Sequence, residues 1–305
     1  MEQILNILLL LAVALATKGV INRTRALLSG RKGPRFVQHL LDIKPAMMKH
    51  PVYSHTTTVL FRLAPAVYLA SAVVAMLMVP AGNLRPVLSF DGDMIAFAYV
   101  LAAGRLAIVA AAMDTGSPFA GMGASRETLY GLLAEPALMM IAATLALAGG
   151  HTSFGGIFSQ MPPARAEMTV VLLLTAYLTL RLWFVESGRV PVDDPRTHLE
   201  LTMVHEAMCL DYCGADLAMI QIAGWLKSAS FAMIAADAAL APAGCPWWIA
   251  APAAAIVTGV AAGVVESTQA RNKLARNATF IMTITALAAL ALLVGYLLQH
   301  DITIQ

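Results

Sequence analysis

Cysteine is scarce in this chain. Its 305 residues include only Cys209, Cys213 and Cys245, with no CxxC pair. That excludes a disulfide framework and leaves no cysteine set to hold an iron–sulfur cluster. Charge is scarce as well: 12% of residues are charged, 59% are hydrophobic, and the mean hydropathy is +0.73. A soluble domain carries roughly twice that charged fraction. It could not enclose so much apolar surface in one core. The apolar runs do not alternate with period two, which removes a large β-barrel. The first run starts at Ile4 behind Met-Glu-Gln, without a basic leader or small-residue cleavage site, so it is expected to be a retained span. No low-complexity tract, short repeat or long polar stretch divides the chain. Residues 1–305 are therefore read as a single polytopic, all-α membrane domain.

About twenty mostly apolar residues cross the hydrocarbon core. That rule gives eight spans, at roughly 3–22, 60–80, 93–113, 127–149, 168–186, 217–240, 247–266 and 278–298. Lys and Arg orient them. The loop 23–59 holds Arg23, Arg25, Arg31, Lys32, Arg35, Lys44 and Lys49, and the last inter-helix loop holds Arg271, Lys273 and Arg276. Loops of the opposite parity hold only Arg85 and Arg165. The basic loops are therefore expected on the cytoplasmic side, with both termini outside. In the first loop, Phe36, Val37, Leu40, Leu41 and Ile43 sit among polar residues, which suits a short helix lying in the interface, apolar side down. The loop either anchors topology or forms a rim around a lateral opening or a docking surface.

Ionisable groups at membrane depth are costly and tend to face the bundle interior or a wet cavity. Arg105 and Asp114 lie in or at the end of span three, Glu135 in span four, Arg181 and Glu186 in span five, Lys227 and Asp237 in span six, and Glu266 ends span seven. Glu135 precedes Pro136, where a missing backbone donor allows a kink or hydration. Two readings of Glu135 stay open: a static ion pair with Arg105 or Lys227, or proton handling. For Arg181 and Lys227 the preferred reading is pairing or snorkelling.

Residues 186–216 concentrate seven of the eighteen acids: Glu186, Asp193, Asp194, Glu200, Glu206, Asp211 and Asp216. Asp193-Asp194-Pro195 reads as a turn into a helix running from Thr197 to Asp211. On that helix His198, Thr202, His205 and Cys209 form one stripe, with Cys213 near it. The stripe does not make a metal site, since His198 and Cys213 would be about 22 Å apart along the axis. Its histidines and acids read instead as a titratable patch, the alternative being a solvated helix with ordinary surface pairs.

Four stretches together carry a family resemblance: SGRKGPRFVQHLLDIKP (29–45), MDTGSPFAGMGASRE (113–127), LLAEP (132–136) and ESGRVPVDDPRTHLELTMVHEAMCLDYCG (186–214). They are similar to the subunit 1 family of complex I. The closer likeness is to its hydrogenase branch, the membrane subunits of formate hydrogenlyase, hydrogenase-4 (component C) and energy-converting [NiFe] hydrogenases. The resemblance implies a non-catalytic anchor in a bacterial or archaeal cytoplasmic membrane, seating a hydrophilic electron-transfer module. Expected partners are the hydrogenase large and small subunits and an antiporter-like membrane subunit; nucleic acid is not among them. Iron–sulfur clusters and the [NiFe] centre are expected on those partners, and no cofactor on this chain. The resemblance also implies a proton relay through Glu135, Glu186, Asp193, Glu200 and Glu206, to which the titratable patch adds His205. Arg31, Arg35, Asp42, Asp194 and His198 are the expected docking contacts. A quinone-reducing complex I subunit and a free-standing secondary ion transporter are the alternative readings.

Overall fold

The computed structural model describes residues 1–160, 166–194, 204–244 and 246–300, with the side chain of Gln160 also left aside. In chain order the helices are α1 (Glu2–Leu28), α2 (Gln38–Met47), α3 (Val59–Met78), α4 (Asp93–Asp114), α5 (Pro118–Gly149) and α6 (Phe154–Gln160). They continue as α7 (Ala166–Glu186), α8 (His205–Met208), α9 (Gly214–Leu240), a 3₁₀ turn at Ala241–Ala243, α10 (Trp247–Thr268) and α11 (Leu274–Gln299). Eight of them are long and apolar enough to cross a membrane. No strand occurs among the described residues.

The spans match the expected ones to within a few residues, with two informative exceptions. First, α1 runs on to Leu28, so Arg23 and Arg25 lie on the helix rather than in a loop. It stops where Gly30 takes φ +62, and Gly30 and Arg31 donate back to the carbonyls of Leu27 and Ala26. Glycine accepts that left-handed backbone without a Cβ clash. Second, α5 begins at Pro118 rather than near residue 127. Ser117 is extended and Pro118 sits at the first helical position, where its missing N–H has no helical partner to lose. Most of the MDTGSPFAGMGASRE stretch is therefore helix, and Glu127 enters the span.

The helix expected over Thr197–Asp211 needs a correction in its described part. Residues 195–203, and with them His198 and Glu200, lie outside the described residues. Helix appears only at His205–Met208, after which the amides of Cys209 and Tyr212 turn back onto the carbonyls of Glu206 and Cys209. Good local propensity loses here to packing, because Tyr212 stacks face to face on Phe61 at 4.1 Å and donates to the Phe61 carbonyl at 3.0 Å.

Helix α9 lies at the centre and is the most buried of the eight spans, whereas α11 is the least. It touches α1, α2, α3, α7 and α10. Alanine-rich faces let the backbones approach, as membrane helices need in a solvent that gives apolar contacts little drive. Hydroxyls inside the spans are satisfied locally: Thr17, Thr175, Thr179 and Thr258 each donate to the carbonyl four residues back. Helix α2 falls in the stretch where a short helix was expected. It buries His39 edge-on against Trp225 at 4.8 Å and turns Leu40 and Leu41 outward.

Candidate functional site

The site forms where α4, α5, α7 and α9 converge with the turn of α8. Glu186 is the last residue of α7 and is buried. Arg105 of α4 donates from Nη2 to Glu186 Oε1 at 2.6 Å, and Lys227 of α9 donates from Nζ to Oε2 at 3.5 Å. One carboxylate thus holds two cations, each side chain at most 12% exposed. Isolated buried charges are expensive, and mutual attraction offsets that cost only when geometry and hydrogen bonds are good. Glu127 of α5 brings a second carboxyl group into the field of Arg105 and Lys227. With Glu127 ionised, the set of two acids and two bases is neutral.

The placement of Arg105 depends on a glycine. Glu127, Gly131 and Glu135 lie at four-residue spacing, one stripe of α5. A Cβ built on Gly131 would collide with Arg105 Nη1 and Cζ. The guanidinium therefore lies against bare backbone, with Glu127 one turn to one side and Glu135 one turn to the other. Both acids act on it electrostatically.

Tyr68 of α3 closes another side, its ring centroid 5.8 Å from Lys227 Nζ and 6.3 Å from the His205 ring. Burial, then the nearby Lys227, lower the His205 pKa to about 4, so the imidazole is neutral at physiological pH. Its backbone is held by Asp193, whose carboxylate accepts amides from Asp194 at 2.9 Å, Val204 at 2.9 Å and His205 at 3.3 Å. Burial raises the Asp193 pKa, and those three amides oppose the rise.

A cavity of about 140 Å³ touches Glu186, Lys227, Tyr68 and His205. A second, of about 230 Å³, adjoins it and shares Lys18, Ser187, Arg189, His205 and Glu206 as lining. The second cavity is bounded by another charge group. Glu266 of α10 receives Arg189 at 2.6 Å and Arg25 at 3.2 Å. Together the cavities lead from the buried Glu186 toward the ends of α1 and α10 and the loop at Asp194 and Arg271.

The residues singled out from the sequence separate clearly. Glu186, Lys227, Arg105 and His205 come together, with Glu206 exposed at the cavity wall. Asp193 lies beside them as an amide acceptor. Glu135 is half-buried on the α5 stripe, and both cations that could have paired with it go to Glu186. Three others lie apart. Asp114 holds the N-cap residue of α3, accepting from the Thr58 amide and hydroxyl at 2.7 and 2.9 Å. Arg181 lies 4.2 Å over the Phe280 ring. Asp237 accepts from the Gly82 amide at 3.0 Å. Arg31 and Arg35 are exposed, Asp42 takes a hydrogen bond from Gln38 at 2.8 Å, and Asp194 lines the larger cavity.

Sequence reasoning missed Glu127, Tyr68, Lys18 and the Arg25–Glu266–Arg189 group. Glu127 could have been found from its eight-residue spacing to Glu135. Lys18, a single charge inside the first apolar run, was visible by its isolation alone.

Comparison with known proteins gives the family of the chain. Residues 2–297 match the family described as NADH dehydrogenase. The chain is 32% identical to hydrogenase-4 component C of Escherichia coli K12 over 229 residues, 75% of this chain and 71% of that one. It is 28% identical to formate hydrogenlyase subunit 4 of the same organism over 218 residues, 72% and 70% of the two chains. Its fold superposes with a TM-score of 0.79, at 21% identity, on a chain of the membrane-bound sulfane sulfur reductase, an archaeal respiratory membrane complex, covering 95% of this chain and 97% of that one. The protein belongs to the NADH dehydrogenase subunit 1 family and is similar there to the membrane subunits of hydrogenase-4 and formate hydrogenlyase.

Proposed function

We propose that this chain is the membrane anchor of a complex I-like membrane-bound [NiFe] hydrogenase of the formate hydrogenlyase type, and that its Glu186 cluster relays charge beneath the electron-transfer module. The relatives support the assignment to such a complex. The observation that carries the relay is the bridging of Glu186 by Arg105 and Lys227 at the closed end of two adjoining cavities. In this reading the hydrogenase large and small subunits carry the [NiFe] centre and the iron–sulfur clusters. They dock over the basic first loop and the segment at Asp194, on the cytoplasmic side. An antiporter-like subunit receives the charge within the membrane.

The two contacts of Glu186 are unequal, and that asymmetry is the device. Lys227, at 3.5 Å, is the looser partner and faces the cavity. Two unit charges about 4 Å apart interact by ~4 kcal/mol at an effective dielectric of about 20. Negative charge gained on the partner side of the cavity would bias that balance, drawing Lys227 away from Glu186. Glu186 then takes up a proton, and the acids of the α5 stripe, Glu127 and Glu135, lie within reach of the same redistribution.

The test uses the intact membrane complex. Affinity purification of this chain is expected to bring down iron–sulfur and hydrogenase subunits; a chain that runs alone would favour the free-standing transporter. Glu186→Gln and Lys227→Met in the assembled complex are expected to uncouple ion movement from hydrogen evolution. Unchanged ion movement per hydrogen in both variants, with assembly intact, removes the relay.

A further inference from the structure

Asp237 belongs neither to the Glu186 network nor to the Glu266 group. It sits on α9 ten residues beyond Lys227, about 15 Å further along the axis, at the end of the bundle away from Glu186. Its residue is 3% exposed. One oxygen, Oδ1, accepts the Gly82 amide at 3.0 Å, and the other, Oδ2, is buried with no partner among the described residues. Beside it is a cavity of about 160 Å³ lined also by Gly82, Asn83, Phe158, Ser159, Ala241 and Gly244. Asn83, Ser159 and Gly244 are exposed, so the cavity opens to the surface at this end.

Among the described residues no cation answers the carboxylate. The titratable groups at this end, on or beside elements packed around α9 or lining the cavity, are Glu2 on α1, Arg85 and Asp91 between α3 and α4, Asp93 at the start of α4, His151 ahead of α6, and Glu167 on α7; none of them acts on Asp237. A buried carboxylate with one amide and no counter-charge must be neutralised by something small enough to reach it. The cavity is large enough for an ion or a few waters and too small for an organic ligand of any size. Oxygen is what its polar side chains offer: the Asn83 Oδ1, which also accepts the Trp247 amide at 3.3 Å, and the Ser159 hydroxyl, which donates to the Gly155 carbonyl and keeps its lone pairs, a set that suits a hard cation.

We propose that Asp237 and this cavity form a binding site for one monovalent cation, a proton or a sodium ion, exchanging with the solution on the side of the membrane opposite Glu186. The site is independent of the Glu186 relay and of the partner assignment. A proton neutralises the carboxylate as a carboxylic acid, with Oδ2–H free to donate into the cavity. A sodium ion neutralises it by coordination to Oδ2, with cavity oxygens or water completing the shell.

Infrared difference spectroscopy on the purified complex tests it, comparing wild type with Asp237→Asn. Spectra are taken between two pH values without sodium, and between sodium-free and sodium-containing buffer at fixed pH. The wild type is expected to show a carboxyl change that D237N lacks. Its loss from the pH difference alone assigns the proton, and its loss from the sodium difference assigns sodium. Identical spectra for the two proteins in both experiments overturn the proposal. Should D237N fail to accumulate, Asn83→Ala keeps the carboxylate and strips a cavity oxygen; a shifted midpoint of the same change is expected, and an unmoved one overturns the site.

Discussion

Glu186 and Asp237 are both carboxylates buried inside the same bundle, yet they are kept there by opposite means. Glu186 is held by Arg105 at 2.6 Å and Lys227 at 3.5 Å, and Glu127 lies close enough to interact with both cations. Asp237 has a single amide from Gly82 and an oxygen with no partner among the described residues. The first acid is part of a charge network whose members depend on one another; the second stands alone beside a small cavity. A network spreads a perturbation, and an isolated acid confines it. Substitutions at the two ends should therefore differ in size and in kind.

The largest effect is expected at Glu186. Glu186→Leu leaves Arg105 and Lys227 buried together without their acid, which costs about 3–5 kcal/mol. Thermal unfolding of the detergent-solubilised protein should show it as a clear fall in midpoint, and Lys227→Met on the same background should recover part of the loss by removing one uncompensated cation. A midpoint within error of wild type would mean that water or lipid already screens these cations, and the contrast with Asp237 would collapse.

Gly131→Ala comes next. The added methyl meets Arg105 Nη1 and Cζ, so the guanidinium or α5 must shift. Overpacking of this kind costs about 1–3 kcal/mol. Because Arg105 is what Glu186 grips most closely, the proposed relay predicts that the variant also weakens ion movement per hydrogen in the assembled complex while hydrogen evolution stays in place. Gly121→Ala on the same helix meets nothing within reach and should leave both unchanged.

A smaller, pH-dependent effect belongs to His205. Its pKa is lowered to about 4 by burial and by Lys227. The unfolded chain takes up a proton near the ordinary histidine value of about 6.5, which the folded chain refuses until about 4. Stability therefore falls as pH drops through that window, and is flat above it for this group. Asp193 works the other way: its pKa is raised, so its share of stability declines as pH rises through its folded value. His205→Gln should flatten the acid limb of the unfolding midpoint between pH 6.5 and about 4. An acid limb identical to wild type would mean that the imidazole is protonated in the folded state.

What could be read without coordinates follows from range. The eight spans are local facts, since twenty apolar residues announce themselves, and the stop at Gly30 or the start at Ser117-Pro118 is written in adjacent residues. Glu186, Arg105, Lys227 and His205 were each visible as charges or titratable groups out of place. Their assembly was not, because Arg105 and Glu186 are 81 residues apart and Lys227 and Glu186 are 41 apart. No periodicity links residues on different helices. The attractive pairing of Glu135 with Arg105 or Lys227 failed for the same reason: depth was legible, but the azimuth that hands both cations to Glu186 was not. The helix expected through Asp211 failed because Tyr212 is claimed by Phe61, 151 residues away.

The smallest effect is expected from Asp237→Asn, and its smallness is what distinguishes the two ends. The amide keeps an oxygen of the same shape to accept from Gly82, and it removes a charge that no neighbouring cation among the described residues balances. Losing one carboxylate's advantage over an amide as acceptor costs under ~1 kcal/mol, and removing the need for neutralisation offsets part of that. The midpoint of unfolding should barely move, and its dependence on sodium or on pH at the Asp237 end should disappear, while the acid limb set by His205 remains. Asp237→Ala is the sharper contrast. It leaves the Gly82 amide without its acceptor at a buried position and should cost about 1–3 kcal/mol, so that Asn is tolerated and Ala is not. If Asn proved as damaging as Glu186→Leu, Asp237 would have to be an ionised member of a network after all. The two ends of the bundle would then obey one rule instead of two.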